Sequence, residues 1–322
     1  MTHVLVTGGA GFIGSHLVEA LLARPDTRVT VLDKLTYAGS RESLAAHEVD
    51  PRFAFVLGDV ADAATVGPLV AAADHVLHAA AESHVDRSIE GPREFLVTNV
   101  LGTHTVLEAA RETATPVLVV NTDEVYGPGE EGTMFAEEDR LRPRSPYAAS
   151  KAAAELLAHA YRQTYGADVI TVRGTNAYGP RQFPEKVIPV YTMAALEGRP
   201  LPVYGEGKQR REFLFVSDWV AACLTVMDRG EPGSSYNIGG GYELPNLDLA
   251  RRVCALAGAR DELISFVPDR LGHDFRYGLR WDRLAALGWE PAVPFDEGLA
   301  RTVAWYEGHR DWVARMLSGA RP

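Results

Sequence analysis

The chain has 322 residues, 46% of them hydrophobic, and its 43 acidic and 32 basic side chains give a formal charge of −11, enough material for one large core and a smaller lobe. No apolar run approaches the ~18–20 residues of a membrane helix, and no cluster of Lys and Arg could track a phosphate backbone. Membrane and nucleic acid are therefore not expected partners, and an anionic ligand must be held by a few local cations.

Short apolar strands alternate with amphipathic helices through the first half of the chain. Strands are predicted at 3–7, 28–32, 53–57, 75–78, 116–121 and 168–172, and helices at 12–23, 62–72, 92–113 and 147–165, the pattern of a parallel sheet wound with helices on both faces. Right-handed crossovers bring the carboxyl ends of the strands to one edge, where a dinucleotide lies across the switch point. After residue 173 the pattern changes. It reads as a helix near 187–196, a hairpin-like element at Val203-Tyr204-Gly205-Glu206-Gly207, a strand with a Gly-rich end at Tyr236-Asn237-Ile238-Gly239, and a terminal helix with a frayed end over 295–322. The predicted fold is α/β: a Rossmann-type doubly wound parallel sheet over 1–173 and a smaller, discontinuous C-terminal substrate lobe over 174–322, with the strand near 235–240 returning to the sheet.

The chain opens directly into Val4-Leu5-Val6 with no basic and then apolar leader, so no secretory signal is expected. Cys223 and Cys254 each sit in an apolar helix-like pattern and read as buried thiols of a reducing compartment. A cytoplasmic protein follows. His75, His78 and His84 lie on or just past a strand without ligand spacing, and no metal is expected.

Gly8, Gly11 and Gly14 follow the first strand and open a helix. Gly8 permits the sharp turn, Gly11 lets the backbone approach a pyrophosphate and Gly14 lets helix and sheet pack closely. Asp33 ends the second strand, where an acid holds a ribose diol and repels a 2′-phosphate. NAD is thus favoured over NADP, a preference that Lys34 weakens slightly. Ala79, Ala80 and Ala81 supply small side chains where a dinucleotide crosses the sheet edge.

Thr122-Asp123-Glu124 follows the strand-like run Val117-Leu118-Val119-Val120, and Tyr147 and Lys151 are four apart, on one helix face. A tyrosine and lysine beside a nicotinamide can move a hydride. A carboxylic acid and a carboxylate close by can remove water from the oxidised sugar, which points to internal redox plus dehydration. Working as a base near pH 7 requires lowering the tyrosine by about 3 units, roughly 4 kcal/mol. Lys151 and the positive nicotinamide are expected to supply that. In a regular strand, successive side chains face opposite ways, so the strand must end near Thr122 if both acids are to meet one sugar.

The chain resembles the extended short-chain dehydrogenase/reductases and, within them, the nucleoside-diphosphate-glucose 4,6-dehydratases typified by the dTDP-glucose enzymes. The matching segments are Thr7–His16, Leu35–Gly39, Ala80–Ile89, Thr122–Gly127, Ser145–Lys151, Phe183–Lys186 and Gly272–Asp274. The resemblance implies that Tyr147 takes the 4-hydroxyl proton while NAD accepts the C4 hydride, and that Thr122 bonds the 4-oxygen. Glu124 then removes the C5 proton, Asp123 protonates the departing 6-hydroxyl, and the hydride returns to C6. It implies cofactor contacts at Gly8, Gly11, Phe12, Ile13, Gly14, Asp33, Lys34, Thr36, Ala79, Ala80, Ala81, Asn99, Tyr147 and Lys151. Asp59-Val60 matches an adenine-edge contact, or Asp59 caps the helix near 62. Ser83, His84, Asn176, Lys186 and Arg211, with Arg210 an alternative to Arg211, would hold the sugar and diphosphate, and Asn237, Arg270, His273 and Tyr277 the nucleotide end. Asn121 stands where relatives usually carry serine, and Ala177, Arg181-Gln182, Phe213 and Trp219 also depart from the pattern. A homodimer through the helices 92–113 and 147–165 is implied as well. A 4-epimerase or a UDP-glucuronate decarboxylase shares the fold and the Tyr-Lys pair, but neither requires an acid and a base at C6 and C5.

Overall fold

Val4, Leu5 and Val6 are inaccessible on both faces of their strand, as happens when a parallel sheet is covered by helices on each side. The computed structural model describes residues 1–269 and 276–319. Its strands in chain order are β1 (Thr2–Thr7), β2 (Thr27–Asp33), β3 (Phe53–Leu57), β4 (His75–His78), β5 (Val117–Thr122) and β6 (Val169–Gly174). They continue as β7 (Asn176–Tyr178), β8 (Leu201–Tyr204), β9 (Arg210–Phe215), β10 (Ser235–Ile238), β11 (Tyr242–Pro245) and β12 (Ile264–Val267). Seven of them form one sheet in the order β10-β6-β5-β4-β1-β2-β3, with every pair parallel. The order reverses between β1 and β4, the switch point where ligands bind in such sheets.

β10 returns to the sheet beside β6, with Asn237 opposite Arg173. Outside the sheet, β11, β9 and β7 form a mixed three-stranded unit over a second core that includes Tyr178, Ile188, Leu201, Leu249 and Leu299.

Three local expectations are corrected. The segment near 203–207 is no hairpin: β8 pairs in parallel with β12, and Gly205 and Gly207, both at positive φ, turn the chain away toward β9. The helix expected over 92–113 begins with Pro92 at its N-terminus, then widens into a π turn over Leu96–Leu101 before Gly102–Thr113. Leu96–Leu101 holds no Gly or Pro that would signal the widening, and such turns cluster at functional sites. The terminal helix is two, Phe295–Gly308 and Arg310–Ser318, interrupted at His309.

The helix Pro146–Tyr165 shows how sequence places chemistry. Ser145 accepts from the Ala148 amide at 3.0 Å, proline occupies the first turn, where its missing N–H costs nothing, and Gly166 closes the end at φ 71°. Tyr147 and Lys151, one turn apart, face the end of β5.

Candidate active site at the carboxyl edge of the sheet

A cleft crosses the sheet edge from the β1 turn to the end of β5, and a second cavity shares Glu124, Asn176 and Lys186 with it. At one end, Gly8 takes φ 72°, and a Cβ there would lie 2.6 Å from the Ala80 backbone. Gly14 packs so closely that a Cβ would come within 2.0 Å of the Gly8 carbonyl oxygen. Gly11 is the N-cap of Phe12–Leu22 with no side-chain cap, so first-turn amides remain to receive a phosphate. Asp33 receives the Ala10 amide on Oδ2 (2.9 Å) and the Leu35 amide on Oδ1 (2.7 Å), which fixes the carboxylate at the tip of β2. Phe12, Ile13, Lys34, Thr36, Val60, Ala79, Ala80 and Ala81 line the same cleft. These residues fit a dinucleotide with a free ribose diol.

Asp59 and Asn99 do not line the cleft. Asp59 accepts from the Ala61 amide (2.9 Å), and the cap of Ala63–Ala71 is Asp62. Asn99 is buried on the π turn, where its amide joins the Glu82 backbone and donates to Ser150 Oγ at 2.9 Å. Ser150 in turn donates to the Tyr147 carbonyl (2.7 Å), so Asn99 braces the helix that carries Tyr147.

β5 ends at Thr122, and Asp123–Tyr126 turn into a 3₁₀ segment. That break brings Asp123 and Glu124 together onto the cleft with Thr122, Tyr147 and Lys151. The Thr122 hydroxyl donates to Asp123 Oδ1 (3.2 Å) and accepts from the Glu124 amide (3.3 Å), and it also hydrogen-bonds the Tyr147 phenol. Asn121 ties this corner down, receiving the Thr122 amide (2.9 Å) and donating to Glu155 (2.6 Å).

The electrostatics divide the two acids. Burial, then the neighbouring Glu124 and Glu212 charges, push Asp123 up to about 8. Its Oδ2 is buried with no hydrogen-bond partner among the described residues. At neutral pH Asp123 is a carboxylic acid, and because Oδ1 already accepts from Thr122, its proton sits on the free oxygen. Glu212 itself is pushed up to about 7 by burial, against the pull of the Gly241 amide. Burial lowers Lys151 to about 8, and its ammonium donates to the Val120 carbonyl at 2.6 Å. Burial and then the Glu124 charge raise the Tyr147 phenol well above 10 in the chain alone, with the Thr122 hydrogen bond pulling the other way.

In the second cavity lie His84, Arg211 and Tyr277, with the Arg211 guanidinium 5.0 Å over the Tyr277 ring. Lys186 donates to the Ser83 carbonyl (2.8 Å), and Asn176 to the Glu212 carbonyl (3.2 Å). Arg210 pairs with Glu243 and lines neither cavity, whereas Arg211 lines the second. Asn237 is corrected too. It is wholly buried, donating to the Phe135 and Arg280 carbonyls and accepting from Tyr126, so it organises the scaffold behind the site. Arg270 and His273 lie outside the described residues.

Glu185, which lines both cavities, is held in a clasp that has no local sequence signature. Tyr37 donates to Glu185 Oε1 (3.0 Å), the Arg87 guanidinium stacks 3.7 Å over the Tyr37 ring, and Arg87 Nε lies 3.5 Å from Glu185 Oε2. All three fall inside the matching segments, but their signal is pairwise and spans 148 positions, which no local pattern reveals. Among the described residues, no group of three or more His, Cys, Asp or Glu could hold a metal ion.

The NAD dependent epimerase/dehydratase family matches residues 4–239. A dTDP-glucose 4,6-dehydratase of Actinoplanes sp. is 48% identical, covering 96% of this chain and 99% of that protein. The crystal structure of the dTDP-glucose 4,6-dehydratase DesIV from Streptomyces venezuelae, with NAD and TYD bound, superposes with a TM-score of 0.95 at 46% identity, over 98% of this chain and all of that one. A UDP-glucose 4-epimerase from Thermus thermophilus in complex with NAD is more distant, with a TM-score of 0.88 at 35% identity over 96% of this chain and all of that one. By coverage and identity, this chain belongs to the NAD-dependent epimerase/dehydratase family and, within it, to the dTDP-glucose 4,6-dehydratases.

Proposed function

We propose that the chain is a hydro-lyase that converts an NDP-glucose, dTDP-glucose foremost, to the NDP-4-keto-6-deoxy sugar, with NAD bound in the β1–β2 half of the cleft. The observation that carries this reading is the pair at the end of β5: a neutral Asp123 with an unpartnered oxygen beside Glu124. A bound NAD would supply hydride acceptance from C4, hydride return to C6 and a positive ring charge offsetting the burial of the Tyr147 phenol. Tyr147 removes the proton of the 4-hydroxyl, with Thr122 holding the 4-oxygen. The ketone at C4 acidifies C5–H, which Glu124 abstracts. Asp123 delivers the Oδ2 proton to the 6-hydroxyl as the C6–O bond breaks, so that water leaves. Glu124 returns a proton to C5 as the chain completes the turnover.

The β7-β9-β11 unit and the second core beneath it supply the lobe that grips the nucleotide sugar, through Asn176, Lys186, Arg211 and Tyr277, while the helix Val216–Arg229 packs on the main sheet. A 4-epimerase would use the same Tyr-Lys pair but has no work for an acid aimed at C6. Incubation with dTDP-glucose tests the reading: a product whose absorbance develops in alkali and marks a 4-keto-6-deoxy sugar is expected, whereas a dTDP-hexose inverted at C4 would refute it.

The Asp123 acid predicts a pH profile. The rate should fall about tenfold per pH unit above about 8 as the acid loses its proton, and Asp123→Asn should lack that limb. Stability moves the opposite way in the variant. The folded chain keeps a proton that an unfolded aspartate releases near 4, so the raised value destabilises the protein progressively as pH rises from about 4 through about 8. Asp123→Asn cannot ionise and should melt several degrees higher at pH 9, with little gain at pH 5. An unchanged melting point at pH 9 would contradict the buried-acid assignment.

The helices Gly102–Thr113 and Pro146–Tyr165 run beside exposed apolar side chains: Leu101 (46%), Leu156 (60%) and Tyr165 (57%). This supports a homodimer across that face, and the free, buried Cys223 and Cys254 suit a reducing compartment such as the cytoplasm. Light scattering should give twice the 35.0 kDa of one chain, and Leu156→Glu should halve it. A monomeric mass for the unaltered protein at micromolar concentration would overturn the dimer.

A further inference from the structure

Lys34 directly follows the acid that ends β2, and a cation beside that acid is what accommodates the 2′-phosphate of NADP in dinucleotide folds. Here the ammonium is already engaged from three sides. Its Nζ donates to Thr98 Oγ1 at 2.8 Å and lies 3.5 Å from Asp59 Oδ2 and 4.0 Å from Glu82 Oε1. The partners come from different elements: Thr98 from the π turn, Asp59 from the loop after β3 and Glu82 from the loop after β4. Thr98 is buried and the Glu82 side chain is only 12% exposed, so the contacts on that side are less screened by solvent than the one to Asp59, whose side chain is 39% exposed. Glu82 is itself held by Asn99, which receives the Glu82 amide at 2.8 Å and donates to its carbonyl.

We propose that Thr98, Asp59 and Glu82 sequester Lys34 and so act with Asp33 as determinants of the choice between NAD and NADP. Without them, the residue after Asp33 would present a cation to the adenosine ribose. With them, a 2′-phosphate entering beside Asp33 meets the Asp33 and Glu82 carboxylates and an ammonium that is already hydrogen-bonded, with Asp59 behind it. It would have to break the Lys34–Thr98 bond and both ion pairs before gaining a contact of its own, while the free diol of NAD needs only Asp33. The π turn thereby acquires a use, since it is the turn that carries both Thr98 to Lys34 and Asn99 to Glu82. The inference rests on the reading of the cleft as an NAD site and adds residues that discriminate within it.

The test is a competition. The full-length protein is exchanged against an equimolar mixture of NAD and NADP, separated from free nucleotide, and the released dinucleotides are quantified by chromatography. The ratio cancels any contact that Asp59 or Glu82 makes with the shared adenosine. Asp33→Ser alone should raise the NADP share by less than about threefold, because Lys34 stays held. Asp33→Ser with Asp59→Asn and Glu82→Gln should raise the ratio at least tenfold beyond the single variant, and adding Lys34→Met should abolish that gain. Asp33→Ser with Glu82→Gln, a milder change, should shift the ratio in the same direction and covers the case in which the triple variant does not fold. A full shift from Asp33→Ser alone, or a gain that survives Lys34→Met, would overturn the proposal while leaving the NAD site intact. Binding of neither dinucleotide by the unaltered protein would overturn both.

Discussion

Asp123→Asn is expected to lower the dehydration rate by about 10²–10⁴-fold, the usual contribution of a positioned acid, while the variant still exchanges the C5 proton of bound substrate with solvent. The asparagine keeps the shape of the side chain and its bond with Thr122 but has no proton to give to the leaving hydroxyl. Glu124→Gln should lose C5 exchange itself. A substrate with a better leaving group at C6 separates the two: Asp123→Asn should regain most of its rate and Glu124→Gln should remain impaired. Mass spectrometry of substrate recovered from deuterated water reads the exchange directly. Equal rescue of both variants, or native exchange in Glu124→Gln, would show that the roles are reversed or shared.

Tyr147→Phe should be impaired on a similar scale, about 10²–10⁴-fold, at an earlier step. The phenol's burial and the Glu124 charge oppose its ionisation, and it shares the Thr122 hydroxyl with Asp123. Removing it leaves no group to take the 4-hydroxyl proton, so no ketone forms and C5 exchange stops. A nucleotide sugar already oxidised at C4 bypasses that step. With it, Tyr147→Phe should exchange C5 at close to the native rate, whereas Glu124→Gln should not. Failure of the bypass would mean that Tyr147 organises the cleft and does not act as the base.

Much of this site is legible in the chain because its parts are local. The glycine turn, the acid at the tip of β2, Thr122-Asp123-Glu124 and the Tyr147–Lys151 spacing are each set by a strand end or a helix period, and the fold places all of them on one cleft. The geometric demand that β5 end at Thr122 follows from strand alternation, and the 3₁₀ segment at Asp123–Tyr126 meets it. What the chain conceals is non-local. Asn237 stands in a short Gly-rich strand suited to a ligand, yet its amide is saturated by carbonyls 102 and 43 positions away. The burial that raises the Tyr147 phenol, with the Glu124 charge from another element, is likewise set by the tertiary fold. The π turn over Leu96–Leu101 holds no Gly or Pro to signal it, yet it decides where Thr98 and Asn99 sit.

Hydride transfer within a single sugar is the central claim, and deuterium follows it directly. dTDP-glucose carrying deuterium at C4 should yield, in ordinary water, a 4-keto-6-deoxy product with the label on C6 and a solvent proton at C5, both read by NMR. A product labelled at C4, as an epimerase would leave it, or a 6-deoxy product without deuterium at C6, would contradict the account.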